Sequence, residues 1–66
     1  MIKSIEQIEN LGYSFIIEDW TDTHDFYRVY VNNKSGNSVV SGYRDSDKSV
    51  AINEVIRQFN KYYESI

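Results

Sequence analysis

The chain has 66 residues, of which ten are acidic and seven are Lys or Arg, giving a formal net charge of −3. So short a chain buries only about 60% of the surface that its unfolded form exposes, which predicts one domain over residues 1–66 and argues against a deep substrate cavity. The acidic balance argues against direct binding to nucleic acid, and the lack of cysteine excludes a disulfide framework and a thiolate zinc site.

The first twelve residues predict a short helix. Apolar side chains recur at every third position, at Ile2, Ile5, Ile8 and Leu11. Ser4 can cap the helix together with Gln7, and Gly12 follows as a left-handed stop, so we expect a helix from about Ser4 to Leu11. Charged residues interrupt every apolar run, which argues against a signal peptide or a membrane span and favours a cytoplasmic protein with no membrane partner.

Three strands are predicted to follow, because the apolar period changes from three to two. The segment "YSFIIEDW" is the first strand, "FYRVYV" the second and "SVVSGY" the third, which Gly42 weakens. The turn signal "NNKSGN" joins the last two strands. In the second strand, one face carries Tyr27, Val29 and Val31, and the other carries Phe26, Arg28 and Tyr30.

The last segment predicts an amphipathic helix from about Lys48 to Glu64, capped by Ser46 or Asp47. Its apolar stripe consists of Ile52, Val55, Ile56, Phe59, Tyr63 and Ile66. The order of elements is therefore α-β-β-β-α. We expect an α+β fold in which a three-stranded antiparallel meander is covered on one face by both helices.

The other face of the sheet is then open to water. We expect it to carry Arg28 and Tyr30, together with some combination of Ile16, Trp20, Phe26 and Tyr43. These aromatic side chains have two interpretations. They either form cross-strand pairs that stabilise the sheet or provide a surface for a partner.

In a meander, two acidic stretches converge at one end of the molecule. The loop "EDWTDTHD" joins the first two strands, and "RDSDKS" links the third strand to the final helix. This end carries two basic residues, Arg44 and Lys48, and six acidic ones. The acidic residues are Glu18, Asp19, Asp22, Asp25, Asp45 and Asp47. One end of the molecule is therefore predicted to be negative.

Two patterns for metal binding or catalysis are weaker than their structural alternatives. Asp45, Asp47 and Ser49 match the opening of a calcium loop, but its glycine and closing glutamate are replaced by Val50 and Ile56. A helix cap explains these aspartates better. His24 beside Asp25 suggests an oriented base, yet there is no second histidine and no predicted pocket. We therefore expect no catalytic residue, no metal and no cofactor.

The order of elements resembles the double-stranded RNA-binding domain, a family that grips phosphates with lysines at the start of its second helix. The corresponding segment is "RDSDKSVAINEV". It keeps Lys48 and adds Asp45, Asp47 and Glu54.

Three other segments, "IEQIENLGYSFIIE", "RVYVNNKSGNSVVSG" and "DSDKSVAINEVIRQFNKYY", are similar to small acidic anti-CRISPR proteins of phages, in particular type II-A inhibitors. The resemblance implies that acidic residues imitate DNA phosphates and occupy the site where a nuclease reads its DNA motif. It assigns this role to Asp22, Asp25, Asp45 and Asp47. It also implies that the hairpin turn approaches a catalytic centre through Asn33, Gly36 and Asn37.

Two hypotheses of function follow. In the first, the chain is a non-enzymatic inhibitor whose acidic end meets a CRISPR effector nuclease or another basic nucleic-acid-handling protein, with Trp20 and Tyr30 supplying buried contacts. In the second, the chain is a structural module that associates with itself, as a homodimer, or with a host subunit, through its aromatic sheet face or an edge strand.

Overall fold

The computed structural model describes all 66 residues. Helix α1 spans Ile5–Asn10, and helix α2 spans Lys48–Glu64. Between them lie the strands β1 (Ser14–Asp19), β2 (Tyr27–Asn32) and β3 (Ser38–Asp45). The strands form one antiparallel sheet in the order β1-β2-β3. The predicted α+β meander is confirmed.

Helix α1 begins and ends where the local sequence predicted. The Ser4 hydroxyl oxygen accepts a hydrogen bond from the Gln7 backbone N–H at 3.2 Å. The Gln7 side-chain oxygen in turn accepts from the Lys3 N–H at 2.6 Å. Gly12 ends the segment with a φ of 96°, a left-handed conformation that glycine adopts without strain.

Helix α2 is capped by Asp47 rather than by Ser46. One carboxylate oxygen of Asp47 accepts hydrogen bonds from the N–H groups of Ser49 at 2.9 Å and Val50 at 3.4 Å. These bonds satisfy two of the amide groups that a helix N-terminus leaves without a partner. Asp47 therefore fixes the point where the chain turns from β3 into the helix.

The core lies between the sheet and the two helices and contains only apolar residues. Its buried members are Ile8, Val29, Val31, Val40, Ala51, Val55 and Phe59. Helix α2 covers β2 and β3, while α1 covers β1. Both helices thus pack on one face of the sheet, as predicted.

The buried stripe of α2 differs from the predicted one. Its centre is Ala51, Val55 and Phe59, whereas Ile52 and Ile56 lie half-buried against the core. Tyr63 and Ile66 are exposed, although the Tyr63 ring stacks on Phe59, and the helix ends before Ile66. The sequence pattern overlooked Ala51, whose small side chain occupies the middle of the contact without adding much apolar area.

The register of the sheet decides which residues share a face. Val29 of β2 lies opposite Ile17 of β1 and Tyr43 of β3, and the pairing of β2 with β3 is irregular around Val31. Tyr43 consequently packs against the core. Its inclusion among the candidates for the open face was wrong, because simple alternation does not anticipate an irregular ladder.

Candidate functional site

The two acidic stretches meet at one end of the sheet. Asp19 at the end of β1 and Asp45 at the end of β3 both lie opposite Tyr27, the first residue of β2. Asp22 and Asp25 are exposed in the loop that joins β1 to β2. The register therefore produces the convergence that the meander predicted.

Three of these carboxylates also organise the local backbone. One oxygen of Asp19 accepts hydrogen bonds from the Thr21 N–H at 2.9 Å and the Thr21 hydroxyl at 2.6 Å. The Thr21 hydroxyl bond, then the Thr21 backbone bond and, more weakly, the charge of Lys48 lower the pKa of Asp19. Asp45 accepts from the Asp47 N–H at 2.8 Å, and Asp47 caps α2. These bonds hold the three negative charges in defined positions.

Asp22 and Asp25 have no such structural role. Neither carboxylate accepts a hydrogen bond, and both residues are exposed. The backbone of Asp25 has a φ of 60°, a conformation that asparagine and aspartate tolerate better than most residues. Among the aspartates of the acidic end, these two carboxylates are the ones that no hydrogen bond within the chain occupies.

The acidic residues do not form a metal centre. No group of three or more His, Asp or Glu side chains is arranged to hold a metal ion. The calcium-loop residues Asp45 and Asp47 instead bind backbone N–H groups at the start of α2. We therefore interpret the acidic end as a surface for electrostatic contact with a partner and not as a metal site.

Glu18 differs from the other acidic residues because it lies in a polar network on the open sheet face. One carboxylate oxygen accepts from the Trp20 indole N–H at 2.9 Å and from Arg28 at 3.2 Å. The other oxygen accepts from the Tyr30 hydroxyl at 3.0 Å. The Trp20 bond, then the Tyr30 and Arg28 bonds, lower the pKa of Glu18. Its charge is balanced locally by Arg28.

Arg28 is held above the sheet by its neighbours. Its guanidinium lies 4.4 Å from the centre of the Tyr30 ring and forms an ion pair with Glu18. Gly42 of β3 lies beneath it, and a side-chain carbon added there would approach the Arg28 Nε to 2.8 Å. The glycine that weakened the predicted third strand thus makes room for Arg28.

A shallow cleft opens beside this network, with a volume of about 360 Å³. Its lining consists of Glu18, Trp20, His24, Phe26, Arg28 and Arg44. The Trp20 and Phe26 rings are stacked with centroids 6.2 Å apart, and Arg44 lies 5.1 Å from the centre of the Phe26 ring. We call this feature the arginine cleft.

His24 forms one side of the arginine cleft. Its ring lies 5.5 Å from the Trp20 ring and 5.6 Å from the Phe26 ring, measured between centroids. Its Nδ1 is 2.7 Å from the Thr23 hydroxyl. The residue is exposed, as expected of a loop histidine, but the aromatic contacts give it a defined place.

The hairpin turn at the opposite end is organised by Asn33. Its side-chain oxygen accepts from the N–H groups of Ser35 and Asn37, each at 3.0 Å. Gly36 adopts a φ of 85° and has open space around it. Asn33, Gly36 and Asn37 therefore shape the turn, and they lie far from the acidic end along the strands.

Of the residues that line the arginine cleft, the sequence prediction of site residues included Glu18 and Trp20 and missed His24, Phe26, Arg28 and Arg44. The alternation of Phe26, Arg28 and Tyr30 in the sequence was a signal for it. Arg44 could be added only from the register, which places it directly opposite Arg28.

The fold and these surfaces define a small α+β domain with an open sheet face. No protein-family model, curated protein or solved structure matches the chain. Neither of its helices has the length and apolar character needed to cross a lipid bilayer.

Proposed function

We propose that the chain is a non-enzymatic binding protein whose acidic end occupies a basic, nucleic-acid-binding groove of a protein partner. The observation that carries this proposal is the position of Asp19 and Asp45 on either side of Tyr27, next to the exposed loop with Asp22 and Asp25. Carboxylates held at one end mimic a row of phosphates, and opposite charges steer the encounter.

The partner is, by the resemblance to anti-CRISPR proteins, a type II-A effector nuclease, and the site of action is the cytoplasm of a phage host. Capping bonds at Asp19, Asp45 and Asp47 support mimicry, because charges already held in place lose little conformational entropy on binding. Trp20, which is 40% exposed, borders the same end and supplies apolar area for burial.

The test compares two triple variants with the same change in charge. The first, Asp22→Asn, Asp25→Asn and Asp45→Asn, removes three negative charges from the acidic end and leaves the Asp47 cap intact. Asparagine is chosen because it suits the positive φ of Asp25. The second, Glu6→Gln, Glu9→Gln and Glu64→Gln, removes three exposed carboxylates elsewhere.

Each protein is immobilised and exposed to bacterial lysate at low and high salt, and the association rate of the captured protein is then measured. We expect the acidic-end variant to associate about tenfold more slowly at low salt and with a weaker salt dependence. The control should stay within about twofold of the parent. Equal effects of the two variants, or no effect of either, would contradict the proposal.

The identity of the partner has its own test. Guide-loaded type II-A nuclease is mixed with an excess of the chain before target DNA is added. We expect less DNA cleavage with the parent and restored cleavage with the acidic-end variant. Full cleavage in the presence of excess parent would exclude this partner while leaving other basic partners to the capture experiment.

Self-association is a second candidate, and the open edges of the sheet favour it. Because β1 and β3 each pair on one side only, both edges have backbone groups free to pair with another chain. Light scattering tests this function. A dimer that persists at high salt would support it, whereas a monomer throughout would exclude it.

A further inference from the structure

The arginine cleft contains a guanidinium without an acidic partner. Arg44 forms no ion pair and donates no side-chain hydrogen bond, while it lies over the Phe26 ring. A guanidinium over an aromatic ring keeps its planar set of N–H donors available to a further group. Arg44 is exposed, so its donors are open to an incoming group beside the aromatic rings of the cleft.

The charge balance of the arginine cleft is positive even though the chain as a whole is negative. Glu18 is paired with Arg28 at 3.2 Å, and both of its oxygens already accept hydrogen bonds. Arg44 is then the uncompensated charge of the lining. An anion that enters would meet one free guanidinium and a carboxylate whose charge is already balanced.

The surroundings select among anions. Asp19, Asp22, Asp25 and Asp45 lie at the same end of the sheet and repel a polyanion such as nucleic acid. They oppose a doubly charged phosphate more strongly than a singly charged carboxylate. The stacked Trp20 and Phe26 rings favour a flat apolar group beside that charge.

We propose that the arginine cleft binds a carboxylate attached to an aromatic ring, with Arg44 holding the carboxylate and Trp20 and Phe26 contacting the ring. The volume of about 360 Å³ lies at the lower end of the range typical of ligand sites and suits one ring with a short acidic arm. The arginine cleft shares Trp20 with the surface proposed for the nuclease, but its test depends on Arg44 and a small carboxylate, so either proposal can fail without the other.

The single tryptophan of the chain lies in the cleft, so its fluorescence reports on binding. The protein is titrated with phenylacetate, with the neutral phenylacetamide and with phenyl phosphate, using excitation at a wavelength that the ligands do not absorb. We expect saturable binding of phenylacetate with a Kd on the order of millimolar. Phenylacetamide and phenyl phosphate should each bind at least about tenfold more weakly.

Two variants assign the effect to Arg44. Arg44→Gln should weaken phenylacetate binding about tenfold or more, because it removes a charge-assisted pair. The matched control is Arg57→Gln, which removes an arginine that pairs with Glu54 on α2. It should leave binding within about twofold of the parent. Circular dichroism melts of both variants show whether they remain folded.

The carboxylate can come from a free small molecule or from the C-terminus of a polypeptide that ends in an aromatic residue. N-acetyl-Gly-Phe with a free carboxylate and its C-terminal amide separate these sources. Binding of the free acid about tenfold tighter than phenylacetate would support the site and identify a polypeptide terminus, and equal binding would support it with small carboxylates as ligands. The proposal is overturned if phenylacetate does not saturate, if phenylacetamide binds equally well, or if Arg44→Gln binds like the parent.

Discussion

The two faces of the sheet are made from alternate residues of the same strands, yet they are stabilised by different interactions. On the helix side, Val29 and Val31 are fully buried, and the core around them contains no polar side chain. On the open side, Arg28 and Tyr30 are half-buried and share the carboxylate of Glu18. The core depends on close packing and excluded water, whereas the open face depends on directional contacts in partial contact with solvent.

This difference has a consequence for function. Close packing makes a core sensitive to the loss of a single methylene group, while exposed polar contacts contribute little to stability. Side chains on the open face can therefore be exchanged without unfolding the domain. A binding surface of so small a protein is best placed there, together with the acidic end that borders it.

The largest expected effect on stability comes from replacing a phenylalanine by alanine on each face of the sheet in turn. Phe59 is fully buried where α2 packs against the core, and Phe26 lies half-buried at the open face. Phe59→Ala should lower the free energy of unfolding by about 3 to 5 kcal/mol, which approaches the whole stability of a small domain. Phe26→Ala should cost about 1 kcal/mol, because its ring keeps contact with water. Urea denaturation of both variants measures the difference.

Equal losses from the two substitutions would contradict the division of the sheet into a packed face and an open face. A cooperative melt of Phe59→Ala that matches the parent would reject the assignment of α2 to the core. Phe26→Ala should, in addition, weaken phenylacetate binding in the arginine cleft.

A smaller effect should distinguish the acidic residues that shape the fold from those that are free. Asp47→Ala removes the cap of α2 and should cost about 0.5 to 2 kcal/mol of stability. Asp22→Ala removes a carboxylate that accepts no hydrogen bond and should change stability by less than about 0.5 kcal/mol. Thermal melts at neutral pH compare the two variants, and Asp47→Asn should restore most of the loss because asparagine also caps helices. If Asp22→Ala is the more damaging change, the acidic loop has a structural role that its contacts do not explain.

The smallest expected effect appears when the solution is acidified. Hydrogen bonds from Arg57 and then Gln58 lower the pKa of Glu54 to about 2, below the value of about 4.3 that the carboxyl has in an unfolded chain. A depressed pKa stabilises the fold above the unfolded value, and this contribution is lost as the pH falls from about 4.3 towards 2. Melting temperatures of the parent and Glu54→Gln should therefore converge over that range.

Glu18 should behave in the same direction on the open face, since its pKa is also lowered. The control is Glu9→Gln, which removes an exposed carboxylate and should keep the pH dependence of the parent. A parent and Glu54→Gln that differ equally at pH 2 and pH 6 would show that the bonds to Arg57 and Gln58 do not contribute through ionisation.

Much of the fold follows from local patterns. The period of three and four in the last segment predicted α2 with its observed bounds, and alternation located each strand to within two residues. Local capping chemistry predicted the ends of α1 at Ser4 and Gly12. These signals succeed because they reflect interactions between residues close in sequence, or the division of a helix or strand into an exposed face and a buried face.

The candidate sites were only partly predictable, and the reasons differ. The convergence of Asp19 and Asp45 follows from the meander, because strand ends alternate between two edges of the sheet. The burial of Ala51 and the packing of Tyr43 against the core were not predicted from the sequence. A small residue gives a weak apolar signal, and an irregular ladder breaks simple alternation.

The sequence by itself determined the order of elements and the meeting of the two acidic stretches at one end, because each depends on composition and spacing along the chain. Only the tertiary structure decided that Arg28 lies opposite Arg44, that Gly42 makes room beneath Arg28, and that Glu18 is bound to Tyr30. These relations join residues on different strands. They depend on register, which is set by the packing of the whole sheet against its helices and has no local signal in the sequence.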